Sequence, residues 1–417
     1  MSDRWATGDG SGLSFPADPA AFRDGGFAFL SNAFQTPVTT IIRCEEVSGG
    51  STGRKMLLDV EYANPGPDRH TELFVKFSRD FDDPVRDCGR TQMDSEVTFA
   101  SLSMTPDFPI VVPRVQFADY QRETGTGILI SERIQFGVNR IERQYHKCLD
   151  YEMPGAADHY RALLTAAARL AGTHRSGQLP AGLTDRFPVD LRAAAVGEPA
   201  PLTTDKLDRR IGRLAEFVAT HPGLMPDNVR SPEFLDRLAV EAPQVLQAES
   251  AVWSHLTDAK EYLALSHWNA NVDNAWFWTE DGVLRCGLMD WGCVSQLNLA
   301  MAIWGAMSGA ETELWDNHFD EFLALFCDEV RASGGPKLDP AHLERQVLLY
   351  AALMGITWLF NVPALIRAKV PDDGADTQRT HPAIKDDEGV RAPLQMLTNV
   401  LNLWESRDLS KALRELS

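Results

Sequence analysis

The chain has 417 residues, 44% of them hydrophobic, so it can bury a sizeable core and is long enough for two or three domains. Its 40 basic and 59 acidic residues give a formal charge of −19, which argues against nucleic acid or an anionic membrane surface as its partner and would suit a cationic ligand. Six scattered cysteines, without a Cys-x-x-Cys pair, argue against a zinc site and favour a reducing, cytoplasmic location.

Short runs of strand-like sequence dominate the first third of the chain. Residues 1–20 are rich in Gly, Ser, Asp and Pro and contain no apolar run of signal-peptide length, so we expect a flexible leader there. Residues 21–135 predict five strands and one helix. The predicted strands are Thr39–Val47, Lys55–Tyr62, Glu72–Ser78, Phe108–Val115 and Gly127–Ile134, and the predicted helix is Met93–Met104.

A glycine-rich turn at 48–53 joins the first two predicted strands. Glycines leave the backbone N–H groups of such a turn open to a phosphate group, because no side chain blocks the approach. The turn is a weak signal when taken alone, since ordinary hairpins use the same residues. Its candidate phosphate-binding residues are Gly49, Gly50, Ser51 and Thr52.

A lysine interrupts the third predicted strand. Lys76 lies in an otherwise apolar run, and a buried ammonium group is costly unless a counter-charge pairs with it. The helix that follows supplies Glu96 as a candidate partner. The two residues could also be unrelated surface charges, but their order after the glycine-rich turn favours a pair.

Helical patterns dominate residues 136–417. Prolines interrupt 176–245, which we interpret as a helical insertion of the kind that shapes a substrate pocket. Val347–Ile366 has no charged residue and reaches the length needed to span a bilayer, but its polar residues and proline favour a buried helix, so no membrane span is expected. The predicted helices are Asp158–Thr173, Asp205–Ala219, Leu297–Met307, 312–332, 340–361 and 390–414.

The most informative stretch is Ser266–Gly292. Apolar runs on either side of Asp281 and Gly282 predict a tight β-hairpin. Such a hairpin would bring Asn274, which precedes its first strand, close to Asp290, which follows its second. Both side chains carry oxygen atoms of the kind that Mg²⁺ prefers, so the stretch outlines a two-ligand metal site.

The same stretch resembles a known family. His267, Asn274, Asp290 and Gly292 have the spacing of the catalytic loop and the Asp-x-Gly motif of kinase-like phosphotransferases. The chain resembles the aminoglycoside phosphotransferase and choline kinase branch of that superfamily, especially its ecdysteroid-kinase-like group. The resemblance in element order covers roughly residues 25–405, while its specific motifs occupy only a small part of that range.

The resemblance implies an α+β, bilobal, protein-kinase-like fold. A small five-stranded N-lobe would occupy 21–135, and a larger, mainly helical C-lobe would occupy 136–417. The implied reaction transfers the γ-phosphate of ATP, with Mg²⁺, to a hydroxyl group of a small molecule. Neither nucleic acid nor a membrane is expected as a partner.

The resemblance also implies roles for single residues. Lys76 would contact the phosphates and Glu96 would orient it, while His267 would brace the catalytic loop. The end of the fifth predicted strand would be the hinge that binds adenine through its backbone. The implied hinge residues are Ser131, Glu132 and Ile134, and the implied Mg²⁺ ligands are Asn274 and Asp290.

Asn269 stands where kinases carry the catalytic aspartate. Its amide can accept a hydrogen bond from a hydroxyl group but cannot take its proton at neutral pH. Three interpretations stay open: an active phosphotransferase in which Asn269 orients the acceptor, a nucleotide-binding pseudokinase with a regulatory or partner-binding role, and a displaced base, for which Asp273 is the nearest candidate. Asp273 is disfavoured because Asn274 must face the metal, and adjacent residues of an extended chain point to opposite sides.

A second difference from the family follows the hairpin. The family commonly has Asp-Leu-Ala there, where the aspartate helps to start a helix, and this chain has Asn298, Leu299 and Ala300. Asparagine is also a good N-cap, so we expect the helix start to be preserved.

Overall fold

The computed structural model describes most of the chain and divides it into two compact units. The candidate residues Gly49, Gly50, Ser51 and Thr52 lie outside the described part. The sheet unit comprises Met1–Glu142, Gly177–Pro188 and Gly287–Ser295, and the helical unit comprises Arg143–Ser176, Val189–Cys286 and Gln296–Ser417. The described residues are 4–47, 53–66, 69–83, 86–195, 202–370 and 377–416.

Short strands occur in the first third of the chain and again in residues 263–298, which include the hairpin around Asp281 and Gly282. The strands are β1 Trp5–Thr7, β2 Ser14–Pro16, β3 Val38–Val47, β4 Lys55–Tyr62, β5 Glu72–Phe77, β6 Val115–Gln121, β7 Thr126–Glu132, β8 Leu263–His267, β9 Ala275–Glu280, β10 Val283–Leu288 and β11 Val294–Asn298.

Helices make up most of the remaining chain. The helices are α1 Pro19–Ala33, α2 Arg86–Ser103, α3 Ala156–Arg175, α4 Ala181–Thr184, α5 Leu191–Ala194, α6 Thr204–Thr220, α7 Pro232–Asp258, α8 Leu299–Met307, α9 Thr312–Ala332, α10 Pro340–Thr357, α11 Val362–Lys369, α12 Pro382–Lys385, α13 Glu388–Ser406 and α14 Leu409–Arg414. Together the elements confirm the predicted α+β class, with one sheet-rich and one mainly helical unit.

The sheet unit contains an antiparallel sheet of five strands, the predicted number, in the order β3-β4-β5-β7-β6. Four of its strands lie within two residues of their predicted bounds. The prediction of a strand at Phe108–Val115 is wrong, since β6 begins only at Val115. Pro109 and Pro113 explain the difference, because proline lacks the N–H group that a sheet ladder needs.

The structure differs from the predicted flexible leader. β1 and β2 pair antiparallel, and Phe15 of β2 is 0% exposed, in the core of the sheet unit with Phe22 and Leu30. The Asp119 carboxylate accepts hydrogen bonds from the backbone N–H groups of Gly10 and Ser11, at 3.0 and 2.8 Å. Strands of three residues are too short to give a period-two pattern, so composition dominated the prediction.

The helical unit is built around α10. Nearly every α10 residue from Leu343 to Thr357 is buried, which agrees with the buried helix expected there. The stretch Pro340–Lys369 is long and apolar enough to cross a membrane, and 78% of its most apolar window is buried inside the protein. The predicted insertion at 176–245 is divided, because Gly177–Pro188 belongs to the sheet unit.

We predict that Phe15→Ala lowers the free energy of unfolding by about 3–5 kcal/mol, as expected when a fully buried phenylalanine is removed. Urea denaturation of the whole chain measures the change. Thr7→Ala, on the exposed side of β1, is the control and should change it by less than about 0.5 kcal/mol. Equal stability of the two variants would contradict the packing of the N-terminal hairpin.

Candidate functional site

The sheet unit brings three predicted site residues together. The Lys76 ammonium on β5 lies 2.7 and 2.8 Å from the two oxygens of Glu96 on α2, and 2.7 Å from Oδ1 of Asp290. The side chains of Lys76 and Glu96 are 7% and 5% exposed, and that of Asp290 is 30% exposed. The predicted pair of lysine and glutamate is therefore present in the structure, together with a second carboxylate.

The charges of this cluster are unequal. Burial alone would lower the pKa of Lys76, but the carboxylates of Asp290 and Glu96 outweigh it and raise that pKa above its ordinary value. One ammonium faces two carboxylates, so the ionised cluster carries a net charge of −1. A cation near the partly exposed Asp290 would balance it.

Packing of the neighbouring residues holds Asp290 in the sheet unit, in a strained backbone conformation. The ring of Trp291 stacks on Phe99 of α2, with centroids 3.8 Å apart and planes inclined by 15°. The N–H of Leu288 donates to the carbonyl of Val111 at 3.0 Å. Asp290 itself has φ 63° and ψ 64°, a left-handed conformation that costs energy for a non-glycine residue and often marks a functional position.

The implied hinge residues lie at the end of β7. Ser131 is the second-last residue of the strand and is paired with Phe74 of β5. The Glu132 N–H donates to the carbonyl of Arg114 at 2.8 Å, and its carboxylate accepts from the Arg114 N–H at 2.9 Å. Ile134 follows in the loop that leaves the sheet. Their role in binding adenine stays a prediction, and the Glu132 N–H already has a backbone acceptor.

The predicted catalytic loop lies in the helical unit, where β8 ends. Nδ1 of the buried His267 accepts a hydrogen bond from the Asn269 N–H at 3.0 Å. The Asn274 side chain donates to the Asn269 carbonyl at 2.8 Å. His267 and Asn274 thus hold the backbone of Asn269 from two sides, which agrees with a bracing role for His267.

Lys147 is the residue of this loop region that the sequence analysis missed. Its ammonium lies 3.3 Å from Oδ1 of Asn269 and 3.6 Å from Oδ2 of Asp273. The same Asn269 oxygen also accepts from the Asn271 side chain at 2.8 Å. No local signal marks Lys147, since it precedes α3 in an irregular segment without hydrophobic periodicity.

Asp273 and Asn274 do not lie in the extended chain on which the prediction of opposite-facing side chains depended. Residues Val272–Asn274 form a 3₁₀ turn, not extended chain, so neighbouring side chains do not alternate between two faces. The Asp273 carboxylate lies near the ammonium group of Lys147, which also contacts the Asn269 side chain. A carboxylate therefore contacts the same lysine as Asn269.

Helix α8 supports the loop from behind. A Cβ atom added to Gly305 would lie 1.6 Å from the carbonyl oxygen of Trp268, so only glycine permits this approach. The Gly305 carbonyl accepts from the Asn271 side chain at 2.8 Å. Asn298 caps α8 by accepting from the Ala300 N–H at 2.9 Å, which confirms the expected helix start.

A buried acid follows Lys147 in the chain. Asp150 is nearly inaccessible and accepts a hydrogen bond from the Tyr160 hydroxyl at 2.7 Å. Burial raises the pKa of the Asp150 carboxyl to about 7, and the charges of Glu311 and Asp273 act in the same direction, while the Tyr160 hydrogen bond opposes them. This carboxyl therefore titrates near neutral pH.

Comparison with solved structures finds small-molecule kinases. A choline/ethanolamine kinase family protein from Mesorhizobium loti is 14% identical, with 95% of this chain and 99% of that chain covered and a TM-score of 0.41. Choline kinase from Cryptosporidium parvum Iowa II is 11% identical, with coverages of 94% and 98% and a TM-score of 0.45. The AMP-bound spectinomycin phosphotransferase APH(9)-Ia is 8% identical, with coverages of 92% and 98% and a TM-score of 0.46. No family model and no curated protein matches the sequence.

We predict that Asp150 makes the wild type less stable as the pH rises from about 4 to about 7. The folded carboxyl has the higher pKa, so the folded state binds more protons than the unfolded state in this window, and stability falls with pH. Relative to Asp150→Asn, the free energy of unfolding of the wild type should fall over this pH range by about 4 kcal/mol at most, at roughly 1.4 kcal/mol per pKa unit.

Urea denaturation of both proteins at several pH values measures this difference. Tyr160→Phe removes the hydrogen bond that lowers the Asp150 pKa, so it should move the fall in stability to higher pH. A constant difference between wild type and Asp150→Asn from pH 4 to 8 would contradict the assignment.

Proposed function

We propose that this chain is a phosphotransferase that moves the γ-phosphate of ATP, with Mg²⁺, to a hydroxyl group of a small molecule. The observation that carries the proposal is the buried cluster of Lys76, Glu96 and Asp290. Lys76 and Glu96 are the pair predicted from their order after the glycine-rich turn, and Asp290 is one of the two predicted metal ligands. A fixed lysine that keeps its charge is suited to bind phosphate oxygens.

The chemistry of two side chains supports Mg²⁺ as the metal. Asp290 offers a carboxylate whose Oδ1 contacts Lys76, and Asn274 donates through Nδ2, which directs its Oδ1 away from the Asn269 carbonyl. The described residues contain no cluster of three or more His, Cys, Asp or Glu side chains fit for a metal. Mg²⁺ commonly takes one or two protein ligands, with phosphates and water for the rest, so this small donor set suits it.

In the proposed reaction the protein forms no covalent bond with the substrates. The bond from the γ-phosphorus to the β–γ bridging oxygen breaks, a bond from the acceptor oxygen forms, and the acceptor proton leaves. Positioning and charge stabilisation provide most of the catalysis in such transfers. Asn269 and His267 would therefore shape the acceptor position, and the proton would pass to water or to a carboxylate such as Asp273.

One observation favours the second candidate, a nucleotide-binding pseudokinase. Oδ1 of Asn269 already accepts from Lys147 and from Asn271, so it cannot also accept from an acceptor hydroxyl without rearrangement. A missing general base typically costs about 10²–10⁴-fold in rate. Both candidates predict nucleotide binding, and only turnover separates them.

The cytoplasm is the compartment we propose. No disulfide bond involves the described cysteines Cys44, Cys148, Cys286, Cys293 and Cys327, which suits a reducing environment. ATP is also a cytoplasmic substrate, so the compartment and the proposed reaction agree.

We predict that Asp290→Ala abolishes Mg²⁺-dependent binding of ATP, because the variant removes one metal ligand and one counter-charge of Lys76. Calorimetric titration of ATP with and without Mg²⁺ measures the effect. Glu123→Ala removes an exposed carboxylate of the same unit and should bind ATP like the wild type. Wild-type affinity in Asp290→Ala would refute the site.

We predict ADP release by the wild type with Mg²⁺-ATP and a small alcohol, and a rise of roughly 10²-fold or more in Asn269→Asp, which regains a base. Lys147 and Asn271 would donate to the new carboxylate, so the loop should accept it. Wild-type silence combined with thermal stabilisation by ATP would instead favour the pseudokinase.

Asp273→Asn in the same assay tests the displaced base. A fall of roughly 10²–10⁴-fold would mean that Asp273 takes the proton, and an unchanged rate would mean that it does not.

A further inference from the structure

A cavity of about 320 Å³ lies within the helical unit, next to the segment that carries Lys147. Cys148, Leu149 and Tyr151 line one side of it, and residues of α12 and α13 line the other. This volume is enough for a small organic molecule. None of the candidate residues from the sequence analysis lines the cavity.

The charge of the cavity lining is opposite to that of the chain. Three cationic side chains, Arg379, Lys385 and Arg391, line it together with one carboxylate, Glu311. The whole chain carries −19. A cationic lining in so acidic a protein favours an anionic ligand, because the local charge acts on a bound group more strongly than distant charges do.

Arg391 is the best-anchored of these cations, with a side chain only 10% exposed. Its Nε donates to the Lys147 carbonyl at 2.9 Å and its Nη1 to the Lys385 carbonyl at 3.1 Å, while Nη2 lies 3.4 Å from Glu388. These bonds use three of the five N–H donors of a guanidinium group. Two donors remain for a ligand, which could be bound in bidentate fashion.

The other two cations have partners that an anion can compete with. Arg379 pairs with Glu311 at 2.7 Å, and Lys385 pairs with Glu152 at 2.8 Å. Arg379 and Lys385 are both well exposed, and exposed pairs contribute little stability. Both cations also lie over the ring of Tyr151, at 5.0 and 5.9 Å from its centroid, which keeps them at the cavity wall.

One backbone segment links the cavity to the acceptor position. Arg391 holds the carbonyl of Lys147, and the ammonium of Lys147 contacts Oδ1 of Asn269. The next residue, Cys148, lines the cavity and has φ 60°, a strained conformation that its surroundings must maintain. A ligand in the cavity would therefore contact Cys148, the residue next to Lys147, whose ammonium group contacts Asn269.

We propose that this cavity binds the negatively charged group of the phosphoryl acceptor, so that the substrate is a hydroxyl-bearing carboxylate or phosphate ester. The inference rests on the proposed function and names its substrate class. Arg391 binds the anionic group, and Arg379 and Lys385 add charge at the wall. An amino alcohol would meet a cationic lining, which reverses the first expectation that the acidic chain suits a cationic ligand.

The test compares small hydroxyl-bearing acceptors that differ in charge. The full chain with Mg²⁺-ATP is given glycerate, glycerol 3-phosphate, glycerol, ethanolamine or choline, and ADP release is measured. We expect kcat/KM for glycerate or glycerol 3-phosphate to exceed that for glycerol and ethanolamine by about 10-fold or more, as charge-assisted hydrogen bonds would give. The better of the two anions distinguishes a carboxylate site from a phosphate site.

A double variant assigns the preference to the cavity. Arg379→Gln with Lys385→Gln should raise KM for the anionic acceptor about 10-fold and leave KM for ATP unchanged. The matched control is Arg169→Gln with Lys369→Gln, a similarly exposed arginine and lysine that pair with Glu329 and Asp387 and do not line the cavity. The control should leave both KM values unchanged.

The outcomes separate the inference from the proposed function. Turnover that prefers ethanolamine or choline, or an unchanged KM in the cavity variant, would overturn the inference and leave the phosphotransferase standing. Silence with every acceptor would count against the phosphotransferase. In that case glycerate and glycerol 3-phosphate are titrated into the protein without nucleotide. Saturable binding that the cavity variant loses would support anion binding in the cavity. The absence of binding would overturn it.

Discussion

The buried ammonium of Lys76 is the constraint on which the sheet unit depends. A cation removed from water costs several kcal/mol unless counter-charges approach it closely. Glu96 and Asp290 supply two carboxylates at about hydrogen-bond distance, one from a helix 20 residues later and the other from a segment 214 residues later. One side chain thus joins three segments of the chain, and the loss of its charge would leave two carboxylates facing each other without a cation.

A second lysine has a comparable role in the helical unit. Lys147 contacts Asn269 and Asp273, and Arg391 fixes its carbonyl. Lys147 and Asp273 therefore place an ion pair beside the uncharged side chain of Asn269.

Three local features of the chain differ from what its sequence pattern predicts. The N-terminal hairpin depends on one buried ring, Phe15, in a segment whose composition resembles a loop. The segment Phe108–Val115 has the apolar composition of a strand, but Pro109 and Pro113 keep it out of the sheet, and β6 begins only at Val115. Asp273 was misjudged because alternation was assumed where the chain forms a 3₁₀ turn. The N-terminal strands and the 3₁₀ turn have too few residues to show a period.

The sequence by itself determined the α+β class, most strands and helices, the central hairpin, and the pairing of Lys76 with Glu96. Those features follow from hydrophobic periodicity, turn residues and the cost of burying an unpaired charge, all of which are local. Only the tertiary structure decided that Lys147 lies beside Asn269, and that Arg391 joins a cationic cavity to the same segment. Contacts between residues more than 100 positions apart leave no trace in local pattern, because they depend on how helices pack and not on what each helix contains.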